Sequence, residues 1–482
     1  MSLVDPPREA VPSRAELRRL LDVLLISDSD INGFVFDFFP AVLQRFKPGL
    51  SRDAKLDLLL EHADPVELHR RLRERGLHQR KRRATEAMDF TYERARHADL
   101  FGRDELLAAL EDAVHSEGWV VVTGAAGVGK TALLAHLLSR LEGQSGQPVP
   151  HHFLRRTVAD SARPGVVLRS LAAQIESKFP HQADPDAPPE LRLIELLQRV
   201  SQGPLKKDGR LIIVVDGLDE AEAEGLSNPL PRFLPSELPP GVTLVCSISP
   251  RYPHFGWLMD HAARQLAGHI DLSSPSGRES SAAACRAFWQ HHGPRLGLTA
   301  DKIDKAAASA QGCILHAVKL REILEHAGPR AGALPLATGL GNLLKQLWDS
   351  LPATVQAGLG LLSAARQALP LPLLEELLGW KAADGDTATF IRLARPFVDI
   401  EPAPLTTSVP VDSARLCHPA LQRFVEEQLG PTALHQNHRQ IAAALCSWPP
   451  LEDSLYAFRR VYALRHAVTQ HIETEAVSQT EQ

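Results

Sequence analysis

A glycine-rich segment that separates a short apolar run from a helical pattern carries the clearest chemistry in this 482-residue chain. Its residues are, in order, Gly124, Ala125, Ala126, Gly127, Val128, Gly129, Lys130, Thr131 and Ala132. The spacing fits G-x-x-x-x-G-K-[ST], in which backbone N–H groups surround phosphate oxygens and the next helix adds its positive end. Lys130 would reach the β- and γ-phosphates, and the Thr131 hydroxyl would bind Mg²⁺. The segment predicts a site for ATP or ADP with Mg²⁺.

A second apolar run, over 211–215, ends in acidic residues. Asp216 follows it directly, and a carboxylate at the end of a buried strand is where a phosphate-binding loop needs its second Mg²⁺ ligand. Asp219 and Glu220 come next, and they either orient an attacking water or only cap the following helix. Lys130, Asp216, Asp219 and Glu220 are therefore the catalytic candidates, with no choice made between the last two acids.

A third apolar run, over 242–245, leads to Arg251, which either contacts a γ-phosphate or is an ordinary loop arginine. The three runs at 119–122, 211–215 and 242–245 are continuously apolar. Such runs are typical of parallel strands covered on both faces, and helical patterns fill the spaces between them. We therefore expect an α/β sheet domain from about residue 100, with mostly helical sequence after it.

Composition narrows the class of protein. The net charge of −5 does not fit a chain that wraps nucleic acid along its whole surface. The five cysteines lie far apart and in odd number, which argues against a disulfide framework and favours a reducing compartment. The N-terminus lacks the apolar core of a signal peptide, and no apolar run approaches the ~20 residues that span a bilayer. We therefore expect a soluble cytoplasmic protein without a membrane span.

The nucleotide motifs together resemble a STAND NTPase of the NACHT kind, the signalling ATPases of innate immunity. The resemblance rests on the glycine-rich loop, on the segment 216–220 and on the serine and arginine of segment 246–251. Phe101 and Arg103 belong to a stretch that resembles the entry motif packed near adenine in this family and in AAA+ ATPases. Segment 310–316 resembles a helical-domain motif, with Cys313 where the family usually has proline or asparagine. The resemblance covers about residues 100–470.

Segment 415–419 resembles the motif whose histidine senses the β-phosphate of bound ADP, which implies that role for His418; a lone histidine is otherwise more often structural. Residues 355–430 resemble the family's winged-helix domain. The N-terminal region, in which Asp64 and Pro65 predict a helix start, resembles death-like effector-associated domains. The implied fold class is multidomain, α and α/β: an N-terminal helical bundle, a P-loop parallel α/β NTPase domain, a helical domain and a winged-helix domain.

Six segments follow from these patterns and from the resemblance. They are a death-like helical adaptor over 1–76, a basic linker over 77–99, a P-loop NTPase domain over 100–265, a helical domain over 266–350, a winged-helix domain over 351–430 and a C-terminal helical tail over 431–482. The family usually carries a long repeat array after the winged helix. Here a partner supplies detection, or the chain is a fragment, or the short tail suffices.

The resemblance implies an ATP-binding signalling switch in bacterial antiphage defence, with slow regulatory hydrolysis. The chain would form a homo-oligomer on activation and recruit, through its N-terminal domain, an effector such as a protease with a matching adaptor domain. The trigger or sensor partner stays unnamed. No nucleic-acid partner is expected.

A DNA-acting ATPase, either related to origin-recognition proteins or an ATP-dependent transcription regulator, is the alternative. Residues 351–430 hold six Lys/Arg against nine Asp/Glu, whereas a DNA-binding winged helix should be basic. A basic stretch keeps the alternative open, since it either contacts a polyanion or is a solvated helix end; its members are Arg70, Arg71, Arg73, Arg75, Arg80, Lys81, Arg82 and Arg83. A metabolic P-loop enzyme would leave the N-terminal bundle and the long C-terminal half unexplained.

Overall fold

A computed structural model of the chain describes most of its residues. The described residues are 13–14, 17–18, 20–21, 25, 28–46, 50–72, 86–156, 158, 160–180, 187–206, 209–222, 227–327, 336–381, 385–401, 412–446, 453 and 455–476. The basic stretch falls largely outside them, because only Arg70 and Arg71 are described. Both of these arginines donate to the Glu67 carboxylate, at 2.5 and 2.8 Å.

Short helices build the N-terminal region. They are α1 (Asp28–Phe38), α2 (Pro40–Leu43) and α3 (Arg52–His62), followed by helical residues 65–72. Asp64 Oδ1 accepts a hydrogen bond from the Glu67 N–H at 2.8 Å, which confirms the predicted helix start. The helices pack around a core of their own that includes Phe34, Leu56 and Leu72.

A five-stranded parallel sheet forms the centre of the next region. Its elements are α4 (Thr91–Ala95), α5 (Asp104–Ala113), β1 (Gly118–Thr123), α6 (Lys130–Ser145), β2 (His151–Phe153), α7 (Pro164–Lys178), α8 (Pro189–Gln202), β3 (Leu211–Asp216), β4 (Val242–Ile248), α9 (Phe255–Ala262) and β5 (Leu266–Asp271). The strand order is β2-β3-β4-β1-β5, and each neighbouring pair is parallel. The carboxyl ends of these strands therefore meet at one edge of the sheet.

Apolar residues fill both faces of the sheet, which explains the continuous apolar runs. In β1, Trp119 and Val121 pack into the core on the side of α7 and α8. Val120 and Val122 point the other way and pack against α5 and α6. Strand β5 lies beyond residue 265, where the sequence placed the end of this domain. Its mixture of polar and apolar residues at a half-exposed sheet edge gives no continuous apolar run to detect it by.

Helices and a second, smaller sheet complete the chain. The elements are α10 (Pro275–His292), α11 (Ala300–Ser309), α12 (Ile314–Ala327), α13 (Leu340–Ser350), α14 (Ala353–Ala364), β6 (Leu369–Pro370), α15 (Leu371–Leu378), α16 (Asp386–Ala394), β7 (Val398–Glu401), β8 (Ser413–Leu416), α17 (Pro419–Leu445) and α18 (Tyr456–Ala476). The small sheet is antiparallel in the order β6-β8-β7. It shares one core with α14–α18, in which Phe390, Leu416 and Tyr462 are buried.

Helix α17 contains a kink at Gly430, where φ is +71° and Pro431 follows. The kink lets one long segment pack along α14 before and after the bend. A parallel α/β sheet inside a mostly helical, multidomain chain confirms the predicted fold class. Within the described part of the chain, no helix combines the length and the apolar character needed to cross a bilayer.

Candidate functional site

A cavity of about 330 Å³ opens at the carboxyl edge of the large sheet. Its volume is at the lower end of the range for small-molecule pockets. Among the residues that the sequence singled out, the following line it: Phe101, Ala126, Gly127, Gly129, Lys130, Thr131, Ala132, Asp216, Asp219, Glu220 and His418. The cavity therefore brings together residues that lie up to about 300 positions apart in the sequence (from Phe101 to His418).

The glycine-rich loop follows β1 and ends where α6 begins at Lys130. Gly127 and Gly129 have φ values of +79° and +99°, which side-chain-bearing residues rarely adopt. A Cβ on Gly127 would also lie 2.9 Å from Leu315 Cβ, and one on Gly129 would lie 3.1 Å from Arg103 Nη1. The loop therefore needs glycine at both positions, and it presents the N-terminus of α6 to the cavity.

Lys130 bends back over this loop. Its Nζ donates to the Gly124 carbonyl at 2.8 Å and to the Ala125 carbonyl at 3.3 Å. Burial lowers the pKa of the Lys130 ammonium below its usual value, although the nearby carboxylates, Asp219 first, favour the charged form. The lysine thus stands beside the loop that would hold a phosphate, with its charge directed to the cavity.

Asp216 ends β3 and is 1% exposed. Its Oδ2 accepts from the Thr131 hydroxyl at 2.8 Å, and its Oδ1 accepts from the Ser247 hydroxyl of β4 at 2.5 Å. Arg155 Nη2 donates to the same Oδ2 at 2.7 Å. Burial alone would raise the pKa of Asp216, but Arg155 and the two hydroxyl donors outweigh burial and lower that pKa. Asp216 is therefore a carboxylate held ionised at the end of its strand.

The two acids that follow differ in their surroundings. Asp219 Oδ1 accepts from the Ser249 N–H at 3.2 Å, so this acid is bound to the loop after β4. Glu220 is 8% exposed and forms an ion pair with Arg155 Nη1 at 3.0 Å. Burial raises the pKa of Glu220 to about 7, against the attraction of Arg155. Glu220 has the perturbed environment that proton-transfer groups often show.

Arg155 joins these groups, and no role for it was predicted from the sequence. It lies two residues after β2, and its guanidinium donates to Asp216, to Glu220 and, at 3.0 Å, to the Thr131 hydroxyl. The available signal was position: parallel β2 pairs with β3, so residues just after β2 lie beside Asp216. The Leu154 N–H extends this pairing with a 2.9 Å bond to the Asp216 carbonyl.

The predicted Mg²⁺ ligands, Thr131 and Asp216, are hydroxyl and carboxylate oxygens of the kind that Mg²⁺ prefers. In this arrangement, however, Arg155 Nη2 donates to both Thr131 Oγ1 and Asp216 Oδ2. A metal ion bound to these two oxygens would compete with a cation already bonded to them. The donor set thus suits Mg²⁺ in type, but the arrangement described here does not accommodate it.

Phe101 and Arg103 take different places around the loop. Phe101 lines the cavity, and its ring lies 5.5 Å from that of Phe288 and 5.6 Å from that of His292, forming an aromatic wall. Arg103 is 3% exposed and donates to the Val128 carbonyl and to Ser281 Oγ. It is not among the cavity-lining residues, and it fixes the loop to α10 from behind.

The segment around Cys313 also contacts the loop. The Leu315 N–H donates to the Gly127 carbonyl at 3.0 Å, and Cys313 Sγ lies 3.6 Å from the same oxygen. Gln311 and Gly312 turn the chain through positive φ values of 50° and 78° immediately before α12. This turn holds α12 against the loop, so that Ile314 and Val318 line the cavity.

His418 reaches the cavity from the small-sheet region. Its Nδ1 accepts from the Ala420 N–H at 3.0 Å and so caps the N-terminus of α17. Burial, followed by the nearby Arg155 and Lys130 charges, lowers the pKa of His418 well below its usual value, which keeps it neutral. Arg251 is exposed and does not line the cavity. Gly124, Ala125 and Val128 are also not among the lining residues. The roles of all these residues stay predictions.

Comparison with known proteins identifies the domain that carries the loop. Residues 99–245 match the family model of the AAA ATPase domain. The chain contains an ATPase domain of the AAA type. Such a domain implies nucleotide binding, and it typically uses Mg²⁺. No curated protein matches the sequence.

The solved structures that resemble this chain include a STAND protein and ORC proteins. The signal transduction ATPase with numerous domains (STAND) and a tetratricopeptide-repeat sensor from Pyrococcus horikoshii is 15% identical, with a TM-score of 0.37 over 78% of this chain. The chain spans half the length of that protein.

Two Aeropyrum pernix proteins are also similar. Its ORC2 protein, in ADPNP and ADP complexes, is 14% identical over 69% of this chain and 96% of its own, with a TM-score of 0.34. Its ORC1 protein, in complex with DNA, is 15% identical over 68% of this chain and 93% of its own, with a TM-score of 0.29. Similarities at this level do not separate a STAND protein from an ORC protein, so the choice between functions depends on the site.

Proposed function

We propose that this chain is a nucleotide-controlled signalling switch of the STAND class, in which bound ADP or ATP selects between two arrangements of its domains. The observation that carries the proposal is the composition of the cavity wall. The ATPase domain contributes Lys130 and Asp216, α12 contributes Val318, and the small-sheet region contributes His418. One nucleotide would contact all three regions, and so would bias how they are arranged.

Ion pairs between described residues join the ATPase domain to the small-sheet region. Arg415 of β8 lies 3.8 Å from Glu93 of α4, and Arg96 forms an ion pair with Asp399 of β7. Arg465 of α18 lies 3.3 Å from Asp160. The Arg96 and Arg465 pairs are partly exposed and should contribute at most about 1 kcal/mol each, whereas the Arg415 and Glu93 side chains are only 6% and 13% exposed. A nucleotide that makes stronger contacts with one arrangement could therefore redirect the small-sheet region.

The finer parts of the proposal follow the family resemblance. In the ADP form His418 would contact the β-phosphate, and ATP would release the winged-helix domain so that several copies assemble. The clustered N-terminal adaptors would recruit an effector such as a protease in antiphage defence. Hydrolysis, with Glu220 or Asp219 orienting water, would be slow and would reset the switch.

The test is a measurement of particle mass by light scattering with ADP and with a non-hydrolysable ATP analogue. We expect a larger assembly with the analogue, and no such change in the Lys130→Ala variant, because the phosphates lose their main cationic contact. A second variant, Asp219→Ala with Glu220→Ala, should bind ATP and keep the assembled form longer. A mass that is the same in every nucleotide state for wild type and variants would contradict the proposal.

A DNA-acting ATPase is the second candidate, and the arrangement of the small-sheet region supports it. There, α14–α16 and the antiparallel strands share one core, and the predicted winged-helix domain would be this unit. Two observations oppose the DNA-acting candidate. Residues 351–430 hold more acids than bases, and Arg70 and Arg71 pair with Glu67. Salt-dependent binding of duplex DNA in an electrophoretic mobility shift experiment would favour this candidate, and unchanged mobility at low salt would remove it.

A further inference from the structure

Arg155 holds the position at which the predicted metal ligands converge. Its Nη2 donates to Thr131 Oγ1 at 3.0 Å and to Asp216 Oδ2 at 2.7 Å, and its Nη1 donates to Glu220 Oε1 at 3.0 Å. The guanidinium lines the cavity and its side chain is only 15% exposed. A planar fork of donors thus spans the Glu220 carboxylate and the two groups that a divalent cation would otherwise bind, the Thr131 hydroxyl and the Asp216 carboxylate.

Burial favours a cation at this place. Asp216 and Glu220 are 1% and 8% exposed, and a buried carboxylate is costly without a positive partner. Arg155 is the arginine that contacts both of them. Burial alone would lower the pKa of Arg155, but Glu220 and Asp216 raise it above its usual value, so the guanidinium stays charged.

The Arg155 side chain is also held in place from behind. Nη1 donates to the Leu154 carbonyl at 2.8 Å. The backbone of Arg155 exchanges two hydrogen bonds with the Ser161 hydroxyl, in which its N–H donates at 3.0 Å and its carbonyl accepts at 2.7 Å. The guanidinium is therefore anchored to a defined turn after β2, and it meets the same oxygens that Mg²⁺ would need.

We propose that Arg155 acts as the resident cation of this site, so that the arrangement described here binds nucleotide without a divalent metal ion. Mg²⁺ then gains access to Thr131 and Asp216 only when Arg155 leaves them. The inference rests on the proposed nucleotide binding and adds to it the identity of the cation in the closed form. Metal-free ADP would belong to this form, and metal dependence would mark the form in which Arg155 has moved.

The experiment is a titration of the full-length chain with a fluorescent ADP analogue, followed by anisotropy, in excess EDTA and in excess Mg²⁺. The wild-type chain should bind with dissociation constants that agree within about twofold in the two buffers. The Arg155→Ala variant should lose about tenfold or more in EDTA and recover in Mg²⁺, because the metal ion replaces the lost charge beside the buried acids.

Arg156→Ala is the matched control. Arg156 is the next residue and its guanidinium donates to the Glu220 carbonyl, at 3.1 Å, rather than to a carboxylate. This variant removes an equal charge from the same loop and should bind ADP as the wild type does in both buffers. If Arg155→Ala is too unstable to titrate, Arg155→Lys keeps a charge on a head that lacks the fork, and its affinity in EDTA should be lower than that of the wild type and of Arg156→Ala and should recover in Mg²⁺.

Uptake of Mn²⁺ gives a second measurement that needs no labelled nucleotide and no turnover. Electron paramagnetic resonance should show free Mn²⁺ with ADP-loaded wild type and bound Mn²⁺ with ADP-loaded Arg155→Ala. The proposal is overturned if the wild type binds ADP only with a metal ion, or if Arg155→Ala matches the wild type in EDTA. If the wild type and Lys130→Ala both fail to bind in either buffer, the proposed nucleotide function itself is wrong.

Discussion

Arg155 and Arg192 each lie between two carboxylates, and they differ in what lies beside them. Arg155 contacts Asp216 and Glu220, whereas Arg192 of α8 contacts Glu176 of α7 and, at 2.9 Å, Glu86. The Arg192 side chain is 3% exposed and is surrounded by helices. The Arg155 side chain is 15% exposed and opens onto the cavity.

The surroundings of Arg155 and Arg192 distinguish a functional ion pair from a structural one. Burial alone would lower the pKa of Arg192, but hydrogen bonds to Glu176 and Glu86 raise it, as the carboxylates do for Arg155. The acids of Arg192 belong to a helix and to the segment before the sheet, and they have no phosphate loop nearby. The acids that contact Arg155 lie at the end of β3 and in the short helix after it, beside the glycine-rich loop. Changes in the Arg192 cluster should therefore affect only the free energy of unfolding, whereas changes in the Arg155 cluster should also affect nucleotide binding.

The largest expected effect comes from removing a carboxylate from the structural cluster. Glu176 is 1% exposed and accepts two bonds from Arg192, at 2.8 and 2.9 Å. Glu176→Ala should lower the free energy of unfolding by about 3–5 kcal/mol, because it leaves a buried guanidinium short of charge. Urea denaturation measures this loss.

The affinity of the Glu176→Ala variant for ADP should not change, which separates the two clusters. Glu195→Ala is the control, since Glu195 belongs to an exposed pair with Arg199 at 3.6 Å on the same helix. That control should lose less than about 1 kcal/mol. A change in ADP affinity for Glu176→Ala would contradict the separation between the Arg192 and Arg155 clusters.

Acid should weaken the Arg155 side of the sheet through a histidine rather than through either arginine. His152 of β2 is fully buried, and burial lowers its pKa to about 4 even though its Nε2 lies 2.7 Å from the Ser161 carbonyl. Because an unfolded histidine takes up a proton near pH 6.5, stability should fall as the pH drops from about 6.5 to 4. The loss should reach about 3 kcal/mol.

Denaturation curves across this pH range check the prediction, with His152→Gln as the variant that removes the titrating ring. The slope of stability against pH should be smaller in that variant, whatever its stability at neutral pH. Ser161 also binds the backbone of Arg155, so the acid-induced loss should reduce ADP affinity. An unchanged slope in the variant would assign the acid lability to another group.

These two clusters show why part of the site was predictable from sequence and part was not. Lys130, Thr131 and Asp216 belong to local patterns whose spacing has only one common structural use, and the structure brings them together. The bonds of Asp216 to Ser247 and Arg155 depend instead on which strands are neighbours in the sheet. Strand order results from the packing of the whole domain, so the residues after β2 gave no local signal.

The same distinction applies to the fold. Continuous apolar runs predicted β1, β3 and β4, because these strands are buried on both faces. Strand β5 was not predicted, since its residues are half-exposed at the edge of the sheet. The long-range contact between His418 and the cavity came from the family resemblance alone, and no periodicity in the sequence would indicate it.

ADP should stabilise the chain through the site that contains Arg155 and leave the Arg192 cluster unchanged. At about 100 times its dissociation constant, ADP should add about 2.7 kcal/mol to the free energy of unfolding. The increment should persist in Glu176→Ala, which is weakened only in the structural cluster. It should disappear in Lys130→Ala, where the phosphates lose their cation. Urea denaturation with and without ADP measures all three, and an increment retained by Lys130→Ala would argue against the placement of the phosphates.

The smallest expected effect concerns the ion pair between Arg96 and Asp399, which joins the ATPase domain to the small-sheet region. Its side chains are 33% and 16% exposed, so water screens the pair more than it screens either buried arginine. Arg96→Ala should lower the free energy of unfolding by about 1 kcal/mol or less, by urea denaturation.

A small loss of stability in Arg96→Ala would indicate that the small-sheet region is movable. Lys305→Ala is its control, because Lys305 and Asp301 form a 2.7 Å pair that is 66% and 71% exposed within a single helix. The two variants should be similar in stability. Only Arg96→Ala should assemble more readily with the ATP analogue, because of the two pairs only that of Arg96 joins the ATPase domain to the small-sheet region. A loss near 3 kcal/mol would instead place Arg96 with the buried clusters, and would make the small-sheet region a fixed part of the ATPase domain rather than a movable one.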